Sequence, residues 1–194
     1  MTAAIVRGAS RSTNALRLRG GAAVTVRPAG PGDDDVIQSY IRGLSPSSRR
    51  DRFLGALNEL SAVELYRMTH SQPGSELALI AETVADGARI VIGEARCVPA
   101  DDGLSAEIAL SVAEAWRRKT LGTQLIGILV RQARTLGVDH LVATVLHSNE
   151  AVKALARKMG FGVAAPVADA RLLQLFTNIS LADGEQRWAG LRLN

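Results

Sequence analysis

A single cysteine, Cys97, stands in the 194 residues, so no disulfide can close within the chain. With no disulfide framework, a cytoplasmic location is the default expectation. Histidines number only three: His70 and His140 have no neighbour at metal-ligand spacing and no Cys/His cluster exists, so no metal is expected. No apolar run approaches the length of a membrane-spanning helix, and there is no secretory leader, so neither insertion nor export is expected. Internal repeats are missing as well. Acidic residues are absent from positions 1–32, which hold five arginines, while the whole chain carries only +4. The basicity therefore belongs to the N-terminal segment, and residues 33–194 offer no electrostatic case for nucleic acid.

Residues 1–21 are rich in Arg, Ser, Ala and Gly and show no sustained periodicity, the composition of a disordered tail. Two other readings stay open: an organellar transit peptide, or a start placed too early with the protein beginning near Ala22. The length suits one domain with a full apolar core, expected over 22–180, followed by a C-terminal extension at 181–194.

Within that domain the pattern is mixed. Residues 24–27 before Pro28 read as a strand, and Asp33, Asp34 and Asp35 supply the cap and first-turn charge of a helix to about Gly43. Ser45 and Pro46 open a short helix toward Phe53, and Ser61 with Glu64 forms a capping box for another to about Thr69, ended by Gln72-Pro73-Gly74. Three strands at 77–83, 89–98 and 104–112 are separated by Asp86-Gly87 and Asp102-Gly103, both hairpin signals. A helix over 119–136 places Leu121, Leu125, Ile128, Leu129 and Leu136 on one face, with Gly137 as its C-cap. A strand at 141–146, a helix at 149–159 and a strand at 171–177 complete an α/β order in which helices flank a mixed sheet.

Chemistry concentrates between Glu107 and Gly122. Ile108, Leu110 and Val112 share one strand face, while Glu107 shares the other with the small residues Ala109 and Ser111. Arg117, Arg118 and Lys119 follow, immediately before a helix whose free N–H groups favour phosphate. Cations there oppose the helix dipole unless an anion normally occupies the site.

This arrangement resembles the GCN5-related N-acetyltransferase (GNAT) superfamily. Its pyrophosphate loop, Gln/Arg-x-x-Gly-x-Gly/Ala, aligns with Arg117-Arg118-Lys119-Thr120-Leu121-Gly122, where Thr120 replaces a glycine. Asn149-Glu150-Ala151-Val152 and Gly160-Phe161 match the family's Asn-x-x-Ala and Gly-Phe signature. The resemblance implies a mixed, mostly antiparallel sheet splayed around an acyl-CoA. It implies acetyl-CoA as cosubstrate, without a metal, held by Arg117, Arg118, Lys119, Thr120, Gly122 and Thr123, by the strand amides of Leu110 and Val112, and by Asn149. Glu107 is then the expected general base. An amine with a pKa near 10.4 is protonated at neutral pH, and leaving it so costs about 4–5 kcal/mol of barrier. The tyrosine that many members use to protonate the departing thiolate is replaced by Ala156; Ser148 and His147 lie nearby as other donors, each also readable as a plain loop residue.

Residues 44–53, Leu-Ser-Pro-Ser-Ser-Arg-Arg-Asp-Arg-Phe, closely resemble a helix of bacterial Pat-type protein lysine acetyltransferases. There Arg49 and Arg52 read either as steering an acidic acceptor or as a solvated face. The acceptor is expected to be an amine, a protein lysine or a small molecule, with a homodimer left open. The alternative is a non-catalytic acyl-CoA-binding sensor, motivated by Thr120 and Ala156.

Overall fold

The computed structural model describes residues 13–71, 76–164 and 168–180. Fourteen elements are built around one eight-stranded sheet. They are β1 (Asn14–Arg17), β2 (Ala23–Pro28), α1 (Asp34–Gly43), α2 (Pro46–Phe53), α3 (Ala62–Thr69), β3 (Leu77–Ala85), β4 (Ala88–Pro99), β5 (Ser105–Val112), α4 (Leu121–Thr135), β6 (His140–Leu146), α5 (Glu150–Lys158), β7 (Gly162–Val163) and β8 (Leu172–Asn178), with one short 3₁₀ turn at Glu114–Trp116. The strand order is β1-β2-β3-β4-β5-β6-β8-β7. Every adjacent pair is antiparallel except β5 and β6.

Alternation along β4 and β5 sends side chains to two cores. On one face Ile92, Ala95, Cys97, Ile108 and Val112 pack with Leu121, Leu125, Ile128 and Leu129 of α4. Burial there pushes the Cys97 thiol up to about 12, so it behaves as a small apolar residue. On the other face Ile37, Tyr40 and Ile41 of α1 and Met68 of α3 cover Ala78 and Ile80 of β3. Gly93 lets α4 settle on β4: a Cβ there would lie 3.3 Å from Leu121 Cδ2 and 3.1 Å from the Ser111 carbonyl oxygen.

The caps at Ser45 and Ser61 form as expected, Ser45 Oγ accepting from the Ser48 N–H and Ser61 pairing reciprocally with Glu64. Asp33 departs from expectation. Its side chain does not cap α1 but accepts two hydrogen bonds from Arg27, at 2.7 and 2.8 Å, and one from the Gly30 N–H. The expected helix over 119–136 begins only at Leu121, because Thr120 adopts φ 75°.

The larger correction is at the N-terminus. The segment expected as tail to residue 21 instead forms β1 from Asn14, paired with β2 through Asn14↔Val26 to Arg17↔Ala23. Leu16 and Leu18, each 3 % exposed, enter the main core. Residues 1–12, the Gln72-Pro73-Gly74 stop and the expected extension at 181–194 lie outside the described residues. Among the described residues no helix is long and apolar enough to cross a membrane.

If β1 belongs to the core, Leu16→Ala lowers the free energy of urea unfolding by about 2–4 kcal/mol, the cost of a buried leucine truncation. A dispensable tail would leave the midpoint unchanged.

Candidate functional site

The site begins where two strands part. β5 pairs with β4 from Ala106↔Pro99 to Val112↔Gly93. With β6 it pairs only at Ser105↔His140, Ala106↔Leu141 and Glu107↔Val142. Past that point β5 runs on to Val112 and β6 to Leu146 with no ladder between them, and β6 is held instead by β8 along its whole length. A wedge therefore opens with Glu107 at its apex. The Ala113 N–H donates to the Ile92 carbonyl of β4. By alternation Leu110 and Val112 turn their backbone groups the other way, into the wedge. Glu107 is exposed and lies on the opposite strand face from Ile108, Leu110 and Val112.

The loop after β5 lies at the open end of the wedge. Arg117 is spent internally: Nε donates to the Val112 carbonyl (3.0 Å) and Nη2 to Ser48 Oγ (2.7 Å), 3.6 Å from Glu114. It braces the loop against the strand and α2, where the family resemblance had placed it on phosphate. Arg118 is exposed at φ 59°, and Lys119 lies with Nζ 4.8 Å over the Trp116 ring. The Lys119 carbonyl accepts from the Arg19 N–H, so the turn after β1 supports the loop from below. Thr120 Oγ1 donates to the Lys119 carbonyl at 2.5 Å and does not cap α4.

The helix's own ladder begins with the Gln124 N–H on the Thr120 carbonyl, leaving the N–H groups of Leu121, Gly122 and Thr123 outside it. No acidic residue occupies the first turn of α4. Uncapped N–H groups, the positive end of the helix and two nearby cations make this a phosphate-accepting surface. Gly122 has a packing role too, since a Cβ there would lie 3.0 Å from Leu155 Cδ2 of α5. Asn149 caps α5, its Oδ1 accepting from the Val152 N–H at 3.0 Å. Ala156, where a tyrosine would stand, is buried in the main core.

Beneath β5, on the face covered by α1 and α2, lies a polar network that the sequence did not reveal. Glu94 of β4, 1 % exposed, accepts from Arg52 Nε (2.6 Å), Arg52 Nη2 (3.0 Å) and Ser111 Oγ (2.7 Å). Ser111 is also 3.0 Å from the Tyr40 hydroxyl. Burial works against the charge on Arg52, but the adjacent Glu94 carboxylate outweighs it and holds the guanidinium above its usual range. Burial likewise drives the Tyr40 phenol well above its ordinary value.

Arg52 is thus neither an acceptor-steering cation nor part of a solvated face. Arg49 is committed too, donating to the carbonyls of Arg42, Leu44 and Leu57. The available signal was a lone acid inside an apolar strand, Glu94 within Val91-Ile92-Gly93-Glu94-Ala95, which demands a partner when buried.

A strand wedge opening onto an uncapped helix terminus sets unpaired strand groups beside a site suited to an anionic group. The model of the acetyltransferase (GNAT) family matches residues 47–161, and the chain belongs to that family; it is a GNAT-type N-acetyltransferase. An acetyltransferase of Pseudomonas aeruginosa is 26 % identical over 165 residues, covering 80 % of this chain and 89 % of the relative. The GNAT domain of the S. lividans PAT superposes with a TM-score of 0.77 at 22 % identity, over 86 % of this chain and 96 % of that one. YncA of Salmonella typhimurium, solved with its cofactor acetyl-CoA, gives 0.63 at 21 % identity, over 81 % and 95 %.

Thr120 is a β-branched residue held at φ 75°. Such strain costs about 1–3 kcal/mol, against which glycine loses about 0.5–1 kcal/mol of chain entropy. Thr120→Gly is therefore expected to raise the unfolding free energy by roughly 1 kcal/mol, measured by denaturant titration. A loss of stability would mean that the Thr120 hydroxyl bond to Lys119 outweighs the strain.

Proposed function

We propose that this acetyltransferase moves an acetyl group from acetyl-CoA to an amine, a protein lysine or a small molecule, by direct attack on the thioester with Glu107 as general base. The observation that carries this reading is the wedge itself, which ends at Glu107 on one side and opens toward the α4 terminus on the other. The relative solved with acetyl-CoA supports the choice of cosubstrate.

In this reading the N–H groups of Leu121, Gly122 and Thr123, with Arg118 and Lys119, take the pyrophosphate. Leu110 and Val112 offer backbone hydrogen bonds to the pantetheine arm. The acceptor ammonium gives its proton to the exposed Glu107 carboxylate, directly or through water, and the freed amine attacks the thioester carbonyl. Negative charge on the carbonyl oxygen meets a strand N–H aimed into the wedge, at Leu110 or Val112. Collapse breaks the C–S bond and expels a thiolate whose conjugate acid has a pKa near 8.5; the thiolate takes the proton still on the attacking nitrogen, so an alanine at 156 in place of a proton-donating tyrosine is tolerable. Asn149 serves first as the α5 cap and contributes to the arm through the position it fixes for that helix.

The test is thiol release from acetyl-CoA against a panel of proteins, peptides and small amines, with binding followed by calorimetry. Glu107→Gln is expected to bind acetyl-CoA within about twofold of the unaltered chain while losing about a hundredfold or more in turnover. Near-normal turnover in that variant removes Glu107 from the base role. Binding of acetyl-CoA without release to any acceptor favours a non-catalytic sensor.

A further inference from the structure

The segment 44–53 looked from sequence like a polar helix face, yet its serine at 48 is only 6 % exposed. A serine hydroxyl has one proton to donate and two lone pairs. Ser48 uses all three: its proton goes to Glu114 Oε1, and it accepts from Arg117 Nη2 (2.7 Å) and from Ser45 Oγ (2.8 Å). Ser45 Oγ in turn accepts from the Ser48 N–H (3.2 Å) and lies 3.0 Å from Ser47 Oγ. Glu114 receives a second bond from the Ser45 N–H (3.1 Å). Burial acts to raise the Glu114 carboxyl, but the hydrogen bonds from Ser48 and Ser45 prevail and hold it down at about 2.

These bonds converge on Arg117, whose other end grips the Val112 carbonyl at 3.0 Å. That carbonyl faces the wedge, and the chain between Val112 and Thr120 is the loop that presents the α4 terminus. Release of Nη2 from Ser48 leaves Arg117 pinned at one end, facing an exposed Glu114 that offers a competing position.

We propose that Ser48 is a positioning residue for acyl-CoA binding: through Arg117 and Glu114 it ties α2 to the cofactor loop and sets that loop before the ligand arrives. The proposal rests on the acetyl-CoA reading given above. It assigns Ser48 no contact with ligand. Its contribution is pre-organisation, because a loop already ordered need not be ordered at the expense of binding.

The experiment is acetyl-CoA calorimetry and steady-state kinetics on the full chain with Ser48→Ala, Arg117→Ala and the double variant. Ser48→Ala is expected to weaken acetyl-CoA binding about tenfold and raise its KM in parallel. Turnover at saturating acetyl-CoA should stay within about twofold, and the acceptor KM should not move. General destabilisation would instead lower turnover without this split. Because both residues act through one chain of bonds, the double variant should bind no worse than Arg117→Ala alone.

Unchanged affinity in Ser48→Ala, or full additivity in the double variant, overturns the proposal. If Ser48→Ala does not fold, Glu114→Gln on the exposed side of the cluster is expected to weaken binding several-fold by the same route. No change there overturns it equally. Failure of the unaltered chain to bind acetyl-CoA sinks the cosubstrate reading instead, so the two failures are told apart.

Discussion

The short parallel ladder between β5 and β6 is the constraint from which the site follows. Three residue pairs join the strands, and beyond Glu107↔Val142 each arm keeps only its outer neighbour. β5 stays fully registered with β4, and β6 with β8, so separating them does not leave either strand unsupported. What it does leave is one row of backbone groups on β5 facing no strand. Buried groups of that kind need partners. One of them, the Val112 carbonyl, is taken by Arg117. Gly122 lets α4 pack closely on α5, since a Cβ there would lie 3.0 Å from Leu155 Cδ2.

The same strand governs the charges below it. Glu94, opposite Ser111, and Glu107, opposite Val98, lie on one sheet face, yet their surroundings divide their roles. Glu94 is sealed from water and answered by the bidentate Arg52 and by Ser111, so its charge is committed. A buried pair of this kind adds little net stability, but removing one partner strands the other charge and costs several kcal/mol. Glu107 stays exposed and unclaimed by any such partner among the described contacts. Arg52 feels both carboxylates. The network thereby holds β5 through Ser111 and leaves the apex carboxylate outside it.

Much of this was legible beforehand, and the exceptions have physical reasons. Local signals read well: the Ser45 and Ser61 caps, the Asp86-Gly87 break, the strand alternation through Ile108, Leu110 and Val112. The family motifs located the wedge and loop. β1 was hidden because arginine and glycine dominate its surroundings, although Leu16 and Leu18 already alternate with Arg17 and Arg19. Strand pairing with β2, a long-range event, decided the matter. Arg52 and Ser48 were opaque for a different reason. A helix as polar as Pro46–Phe53 reads as solvated until the partners Glu94 and Glu114, tens of residues away, are brought beneath it.

The outcome changes where affinity for a phosphorylated ligand must come from. Counted along the sequence, the loop presents three adjacent cations. Folded, Arg117 is bound to Val112 and Ser48 and set against Glu114, so its charge is largely answered within the protein. Lys119 lies over the Trp116 ring, and Arg118 is exposed. What remains undiminished is the α4 terminus, whose first N–H groups have neither a side-chain cap nor an acid to satisfy them. Directional N–H donors held by the backbone lose no side-chain freedom on binding, whereas long cations do. Arg117 therefore does more to shape the backbone of this site than to supply its charge, and through Ser48 it ties α2 to the loop that presents the α4 terminus.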